Sequence, residues 1–189
     1  MKTHSKVVVV LSLAASLAAC SDFLTGPGLT ENPNDPIDVS ITAQFVAVQA
    51  NMFTLFQGQV ARSAAIYTQQ VIGSNNQQLT WGTRYQIVEG DISTHFTALY
   101  TGSGLVGLRK IQDQAKAEGN SLIEGIAKIW EANLFGMAAS VWGDLPYSEA
   151  NNASILTPKL DSQESVYAAV QKLLDDGIAL VSSASSAGI

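Results

Sequence analysis

One cysteine, Cys20, stands in 189 residues, so the chain can form neither an intrachain disulfide nor a thiolate metal cluster. Histidine is almost as scarce. His4 and His95 are the two present, and zinc sites of the His/Cys type and Ser-His-Asp triads need more partners than that. Charged residues make up 14% of the chain, against about 25% in an average soluble domain. Basic residues are the scarcer sign, ten Lys plus Arg against sixteen Asp plus Glu for a formal net charge of −6. They form no cluster, and an acidic surface repels a phosphate backbone, so nucleic acid is set aside as a partner. No apolar run reaches the roughly twenty residues that a membrane-spanning helix needs. With 47% hydrophobic residues, the chain is nonetheless too apolar to be intrinsically disordered.

What is present begins with an address. Lys2, His4 and Lys6 form a charged start, and Val7 to Ala19 is an uninterrupted stretch of apolar and small residues, the length and flank of a secretory signal rather than a membrane span. It ends in Leu17-Ala18-Ala19-Cys20, which looks like the lipobox of bacterial lipoproteins. Residues 1–19 are therefore expected to be a lipoprotein signal peptide, with Cys20 the lipid-attachment residue and new N-terminus. Several acyl chains on one cysteine anchor durably, since each buried CH₂ adds about 0.8 kcal/mol. Ser21, rather than Asp, resembles outer-membrane sorting. Loss of Lys2 and Lys6 with the leader would take the net charge from −6 to −8.

Residues 20–40 read as a tether, punctuated by Gly26-Pro27-Gly28 and Asn32-Pro33-Asn34-Asp35-Pro36 and without apolar periodicity. Residues 41–181 read as helical. Ile41, Phe45, Val48, Met52, Leu55 and Val60 repeat at three- and four-residue spacing, which predicts a helix able to continue to a C-cap at Gly73, with Gly58 as an interruption. Ser74 to Arg84 reads as a polar loop. A second helix is expected from Asp91 to Glu118, closed by Gly119, and a third from a capping box at Ser121-Leu122-Ile123-Glu124 to Trp142. Asp161, with Glu164 three residues on, is expected to open the last. Residues 182–189 form a tail of Ser, Ala and Gly with a terminal Ile. Helices with Gly at their seams and no period-two strand define an all-α domain of stacked antiparallel helix pairs. The strict tetratricopeptide pattern is not met, so any such repeat is degenerate.

Catalytic chemistry finds little support. Gly102-Ser103-Gly104-Leu105-Val106-Gly107 matches the dinucleotide fingerprint letter for letter, but that fingerprint requires a preceding strand, and Thr94 to Tyr100 has helical spacing. Small residues there let another helix approach closely. Asp175 and Asp176 point apart on one helix, and His95 sits beside an aromatic stripe as a helix residue. No catalytic residues, metal ligands or cofactors are assigned, and an enzyme is not expected. Trp81 and Tyr85 flank a stretch rich in Asn75, Asn76, Gln77, Gln78, Thr80 and Thr83. Rings among amides and hydroxyls suit a sugar or peptide, by stacking plus hydrogen bonds. The plainer alternative is that Trp81 pins the loop to the helices.

The order of several segments resembles one family. After the lipobox come Asn32-Pro33-Asn34-Asp35-Pro36, a helix, Phe96-Thr97-Ala98-Leu99-Tyr100, Ala115-Lys116-Ala117-Glu118-Gly119 and Val141-Trp142-Gly143-Asp144-Leu145-Pro146-Tyr147-Ser148-Glu149-Ala150. This series is similar to the N-terminal part of the SusD/RagB nutrient-binding outer-membrane lipoproteins, with the last segment the most specific. The resemblance implies a degenerate tetratricopeptide-like (SusD-like) scaffold, lipid-anchored at the cell surface. It further implies a protein that binds oligosaccharides or peptides without cleaving them and serves as a lid on a TonB-dependent, SusC-like outer-membrane transporter. A helical lipoprotein that binds only protein is the alternative. Ser140 stands where the family often has Asp. The family's later Trp-x-Lys-x-x-Asn-Ser-Leu-like segment is missing, so the chain is expected to be a truncated piece of the scaffold, unstable alone because stacked pairs rely on their neighbours.

Overall fold

A computed structural model describes residues 39–86 and 88–184. The signal peptide, Cys20, nearly all of the tether and residues 185–189 of the tail lie outside the described residues. The described chain is all-α, with one isolated antiparallel bridge between Leu145 and Asp161. Its elements are α1 (Ile41–Thr54), a π-helical turn (Leu55–Val60), α2 (Ala61–Tyr67), α3 (Asn76–Arg84), α4 (Glu89–Tyr100), α5 (Leu105–Ala117), α6 (Ser121–Trp142) and α7 (Gln163–Ser183).

The apolar stripe of α1 is buried as its spacing requires. Val48 and Met52 lie inside, followed by Leu55 and Phe56 from the π-helical turn. Gly58 is where the backbone leaves helical geometry, so the long first helix divides there. α2 stops at Tyr67, short of Gly73, because Gln69 takes a left-handed conformation (φ 58°). Gly73 is needed for a different reason. A Cβ there would fall 2.1 Å from the backbone of Gln78.

The expected helix from Asp91 to Glu118 is two helices. Thr101 is extended, Gly102 is left-handed (φ 50°), and α5 restarts from Gly104. A Cβ on Gly104 would meet Leu99 O at 2.4 Å, and one on Gly107 would meet Gly102 O at 2.8 Å and Val48 Cγ2 at 3.3 Å. The three glycines thus build a corner that also lets α1 approach α5. α4, a helix, precedes them, so the strand that a dinucleotide site requires is not there.

α5 and α6, joined by residues 118–120, pack as an antiparallel pair, with α1 against α5 and α7 against α6. Leu99, Leu105, Leu108, Ile111, Leu134, Phe135, Leu145 and Val166 are fully buried in this stack, each worth about 1.5–3 kcal/mol of transfer free energy. Two expected caps are displaced by one residue. Asn120, not Ser121, caps α6 by accepting from Ile123 N at 3.1 Å. Ser162, not Asp161, caps α7 by accepting from Ser165 N at 3.2 Å.

α6 and α7 cross where both carry glycine. A Cβ on Gly125 would lie 2.8 Å from Gly177 O and from Val181 Cγ2. Gly125→Ala is therefore expected to cost about 1–3 kcal/mol, through overpacking against backbone. Gly136→Ala, whose Cβ would sit 3.7 Å from Val170 Cγ1, is expected to be neutral or to stabilise by up to about 1 kcal/mol through helix propensity. Thermal unfolding of the two variants checks this, and equal melting shifts would overturn the close-approach account.

Candidate functional site

Two polar assemblies stand out from the helical stack. The first surrounds Glu131, which lies on α6 with 2% exposure. Its carboxylate accepts Arg109 Nε at 3.3 Å and Gln112 Nε2 at 2.6 Å, both from α5, and Tyr147 Oη at 2.8 Å. Arg109 also donates to Ala150 O at 2.8 Å, and its guanidinium carbon lies 5.5 Å from the Tyr147 ring centroid. Burial pushes the Tyr147 hydroxyl pKa up, and the neighbouring Glu131 carboxylate adds to the effect, so the hydroxyl stays a donor.

Asp161 completes this wiring. It accepts the backbone N–H groups of Tyr147 at 2.9 Å and Ser148 at 2.7 Å, and the Ser148 hydroxyl at 2.8 Å. Burial raises its pKa, but the Ser148 and Tyr147 donors and Lys159 together outweigh that and leave it lowered. Leu145 and Asp161 exchange both backbone hydrogen bonds, at 3.1 and 3.0 Å, and Pro146, lacking an N–H, follows directly. Asp144 accepts Gln163 N at 2.8 Å at the start of α7. Ser140 Oγ lies 2.8 Å from Tyr167 Oη, linking α6 to α7. The segment Val141–Ala150 therefore ties α5, α6 and α7 together. Sequence reasoning missed Glu131 and Arg109. The available signal was that Glu131 is the lone charge between Lys128 and Asp144.

The second assembly is the hairpin of α2 and α3. Ser74 to Arg84, expected as a loop, is largely helix α3, opened by Asn75, whose Oδ1 accepts Asn76 N at 2.8 Å. Tyr85 ends it in a left-handed conformation (φ 51°). A cleft of about 400 Å³ is lined by Ile66, Gln69, Gln70, Val71, Ile72, Gly82 and Tyr85, amides and apolar side chains together. A neighbouring one of about 290 Å³ is lined by Arg62, Ile66, Asn75, Asn76 and Gln78 among others. Tyr85 is 50% exposed, its ring meets Tyr67 edge-on at 5.8 Å, and its hydroxyl accepts from Gln69 Nε2. Of the two candidate ligand-facing rings, Trp81 and Tyr85, the structure leaves Tyr85 exposed and buries Trp81, as in the alternative that Trp81 pins this stretch to the helices. Trp81 is 1% exposed, with Nε1 donating to Asp91 Oδ2 at 3.3 Å. A third cleft, about 780 Å³ and mostly apolar, lies between α1 and α6 around Phe53, Phe56, Trp130 and Met137. Among the described residues no cluster of His, Cys, Asp and Glu could hold a metal ion, and no helix is long and apolar enough to cross a membrane.

Stacked helix pairs that carry an amide-lined cleft define a helical-repeat scaffold. Residues 33–189 match the SusD-like family described as "Starch-binding associating with outer membrane", and the chain belongs to this SusD/RagB family. A crystal structure of a SusD/RagB family protein from Bacteroides thetaiotaomicron is similar, with 26% identity and a TM-score of 0.66. The similarity covers 76% of this chain and 30% of that one, so the chain spans about 30% of that relative's length. None of the curated proteins matches.

Glu131→Ala strands the donors that converge on the carboxylate and is expected to cost about 3 kcal/mol, whereas Tyr147→Phe removes one hydrogen bond at about 1 kcal/mol. Chemical denaturation compares them, and a smaller cost for Glu131→Ala would contradict the convergence. A pH effect belongs to Asp161. Its folded pKa lies below its unfolded value of about 4, so its stabilisation is complete above that value and is lost as pH falls through the folded pKa. Wild type is expected to lose stability more steeply below about pH 4 than Asp161→Asn, measured by denaturation across an acid series.

Proposed function

We propose that this protein is a surface-exposed outer-membrane lipoprotein, anchored through acylated Cys20 and the tether up to residue 40. In this reading it binds a nutrient oligosaccharide, or a peptide in its place, and delivers it to a TonB-dependent SusC-like transporter without cleaving it. The observation that carries the reading is Tyr85, a residue 50% exposed at a cleft whose other lining combines the amides of Gln69 and Gln70 with the apolar side chains of Val71 and Ile72. A flat apolar face beside neutral donors and acceptors suits a sugar ring, which presents C–H groups on its face and hydroxyls at its edge. Gln69 already engages the Tyr85 hydroxyl, which orients the ring before ligand arrives. Trp81 supports α3 from beneath, fixing where Tyr85 stands. Family membership supports the outer-membrane setting, and the lipobox pattern supports the anchor.

The alternative, a helical lipoprotein that binds protein alone, is favoured by the exposed apolar cleft between α1 and α6, where Phe53 is 71% exposed.

Calorimetric titration with a panel of neutral oligosaccharides and short peptides separates the two. Tyr85→Ala is expected to weaken glycan affinity about three- to tenfold, the worth of an aromatic contact, while the melting temperature stays near that of wild type. Absence of binding across the panel, together with capture of a purified protein partner through the Phe53 cleft, would favour the alternative. Radiolabelled palmitate is expected to label the wild type and not Cys20→Ala.

A further inference from the structure

The α2–α3 hairpin carries buried apolar side chains apart from the main core. Ile66 and Trp81 are 3% and 1% exposed, yet neither belongs to the continuous core shared by α1, the π-helical turn, α4, α5, α6 and α7. Where the hairpin leaves that core, the helix is interrupted. At Gly58 the backbone is non-helical (φ −88°, ψ −108°), and the space a side chain would occupy there is open. The break at Gly58 is a kink between two helical stretches, a place where the direction of the chain is set by one residue.

The hairpin's other attachment is polar and converges on one carboxylate. Asp91, in the first turn of α4, accepts Gln77 Nε2 at 2.5 Å and Trp81 Nε1 at 3.3 Å, both from α3. It also accepts the backbone N–H of Val88 at 3.0 Å. The hairpin therefore meets the body through one broken helix and one hydrogen-bonded carboxylate.

We propose that residues 61–86 open and close as one unit, pivoting at Gly58 and held shut by Asp91. Ile66 and Trp81 stand outside the core shared by the stack, so an opening that parts Trp81 from Asp91 leaves that core intact and costs less than unfolding of the body. The amide-lined clefts are built from residues 62–85 and travel with the unit. Asp91 is a positioning residue, since it fixes where α3 and Tyr85 sit relative to the stack. The inference rests on packing and hydrogen bonds and does not depend on what the cleft binds.

Native-state hydrogen exchange of the purified protein, followed by mass spectrometry at low denaturant concentrations, tests it. Protected amides of α2 and α3 are expected to share a single opening, with a weaker denaturant dependence than residues 105–183 and exchange at least about tenfold faster. Asp91→Asn is expected to accelerate exchange across 61–86 by about a further tenfold, by removing acceptor capacity from the latch, and to leave 105–183 unchanged. The proposal is overturned if wild-type 61–86 exchanges only with global unfolding, or if α2 and α3 open with unrelated denaturant dependences. It is equally overturned if Asp91→Asn leaves 61–86 unchanged or accelerates 105–183 as much. Should Asp91→Asn fail to fold, the wild-type denaturant dependences decide alone.

Discussion

A carboxylate between packed helices must be met by donors, because desolvation of an unpaired charge costs several kcal/mol. Glu131 is met by three, from Arg109, Gln112 and Tyr147. Two of them come from the neighbouring helix α5 and the third from the chain beyond α6, so satisfying one side chain fixes both the α5–α6 pairing and the path of the crossover. Arg109 extends the constraint through its bond to Ala150 O. Asp161 then repeats the device at the far side of the crossover, collecting the Tyr147 and Ser148 N–H groups. The long connection from α6 to α7 is thereby tied at several points by side chains, although it contains a single bridge of regular backbone pairing. Everything that α7 buries, from Val166 to Gly177, depends on its being delivered to the right place.

Much of this architecture was legible because helices announce themselves by period. The stripes of α1, α4, α5 and α7 read directly from residues such as Val48, Leu99, Leu108 and Val166, all of them buried. α6 was read less well. Met137 and Val141 continue the apolar spacing of Trp130 and Leu134 yet are 40% and 47% exposed, because a helix apolar nearly all round does not declare which face is inside. α3 was not legible at all. It has no stripe, and it forms around one buried ring, Trp81, with Asn75 as its cap. The corner at Gly102 to Gly104 was invisible for a related reason, since the same glycines serve a turn and a close approach alike.

The misplaced caps show how long-range bonding overrides local preference. Asp161 is a good N-cap by composition, but its oxygens are already taken by the crossover, so the cap passes to Ser162. Glu131 was missed although it is a lone charge in its stretch, because its partners Arg109 and Tyr147 stand 22 and 16 residues away. No helical spacing connects such positions, and they become neighbours only once the stack has formed. The cleft at Tyr85 was legible in composition, as rings among amides, but not in geometry. Which ring is buried follows from Asp91, ten residues beyond Trp81.

These observations separate what identifies the fold from what would select a ligand. The segment Val141–Ala150, the most specific part of the family resemblance, is engaged with Glu131, Arg109 and Asp161. Those are stack-forming contacts, and a chain could keep all of them while changing every residue of the α2–α3 hairpin. The clefts, in turn, are lined by residues 62–85, outside the continuous core. Changes to the amides and rings of that hairpin leave the donors of the buried Glu131 carboxylate, on which the stack depends, in place. The converse also holds, because a stack fixed by Glu131 and Asp161 leaves the hairpin as the part whose position must be set separately, through Asp91. The helical stack and the α2–α3 hairpin are thus held by different carboxylates in different parts of the chain, Glu131 and Asp161 for the one and Asp91 for the other.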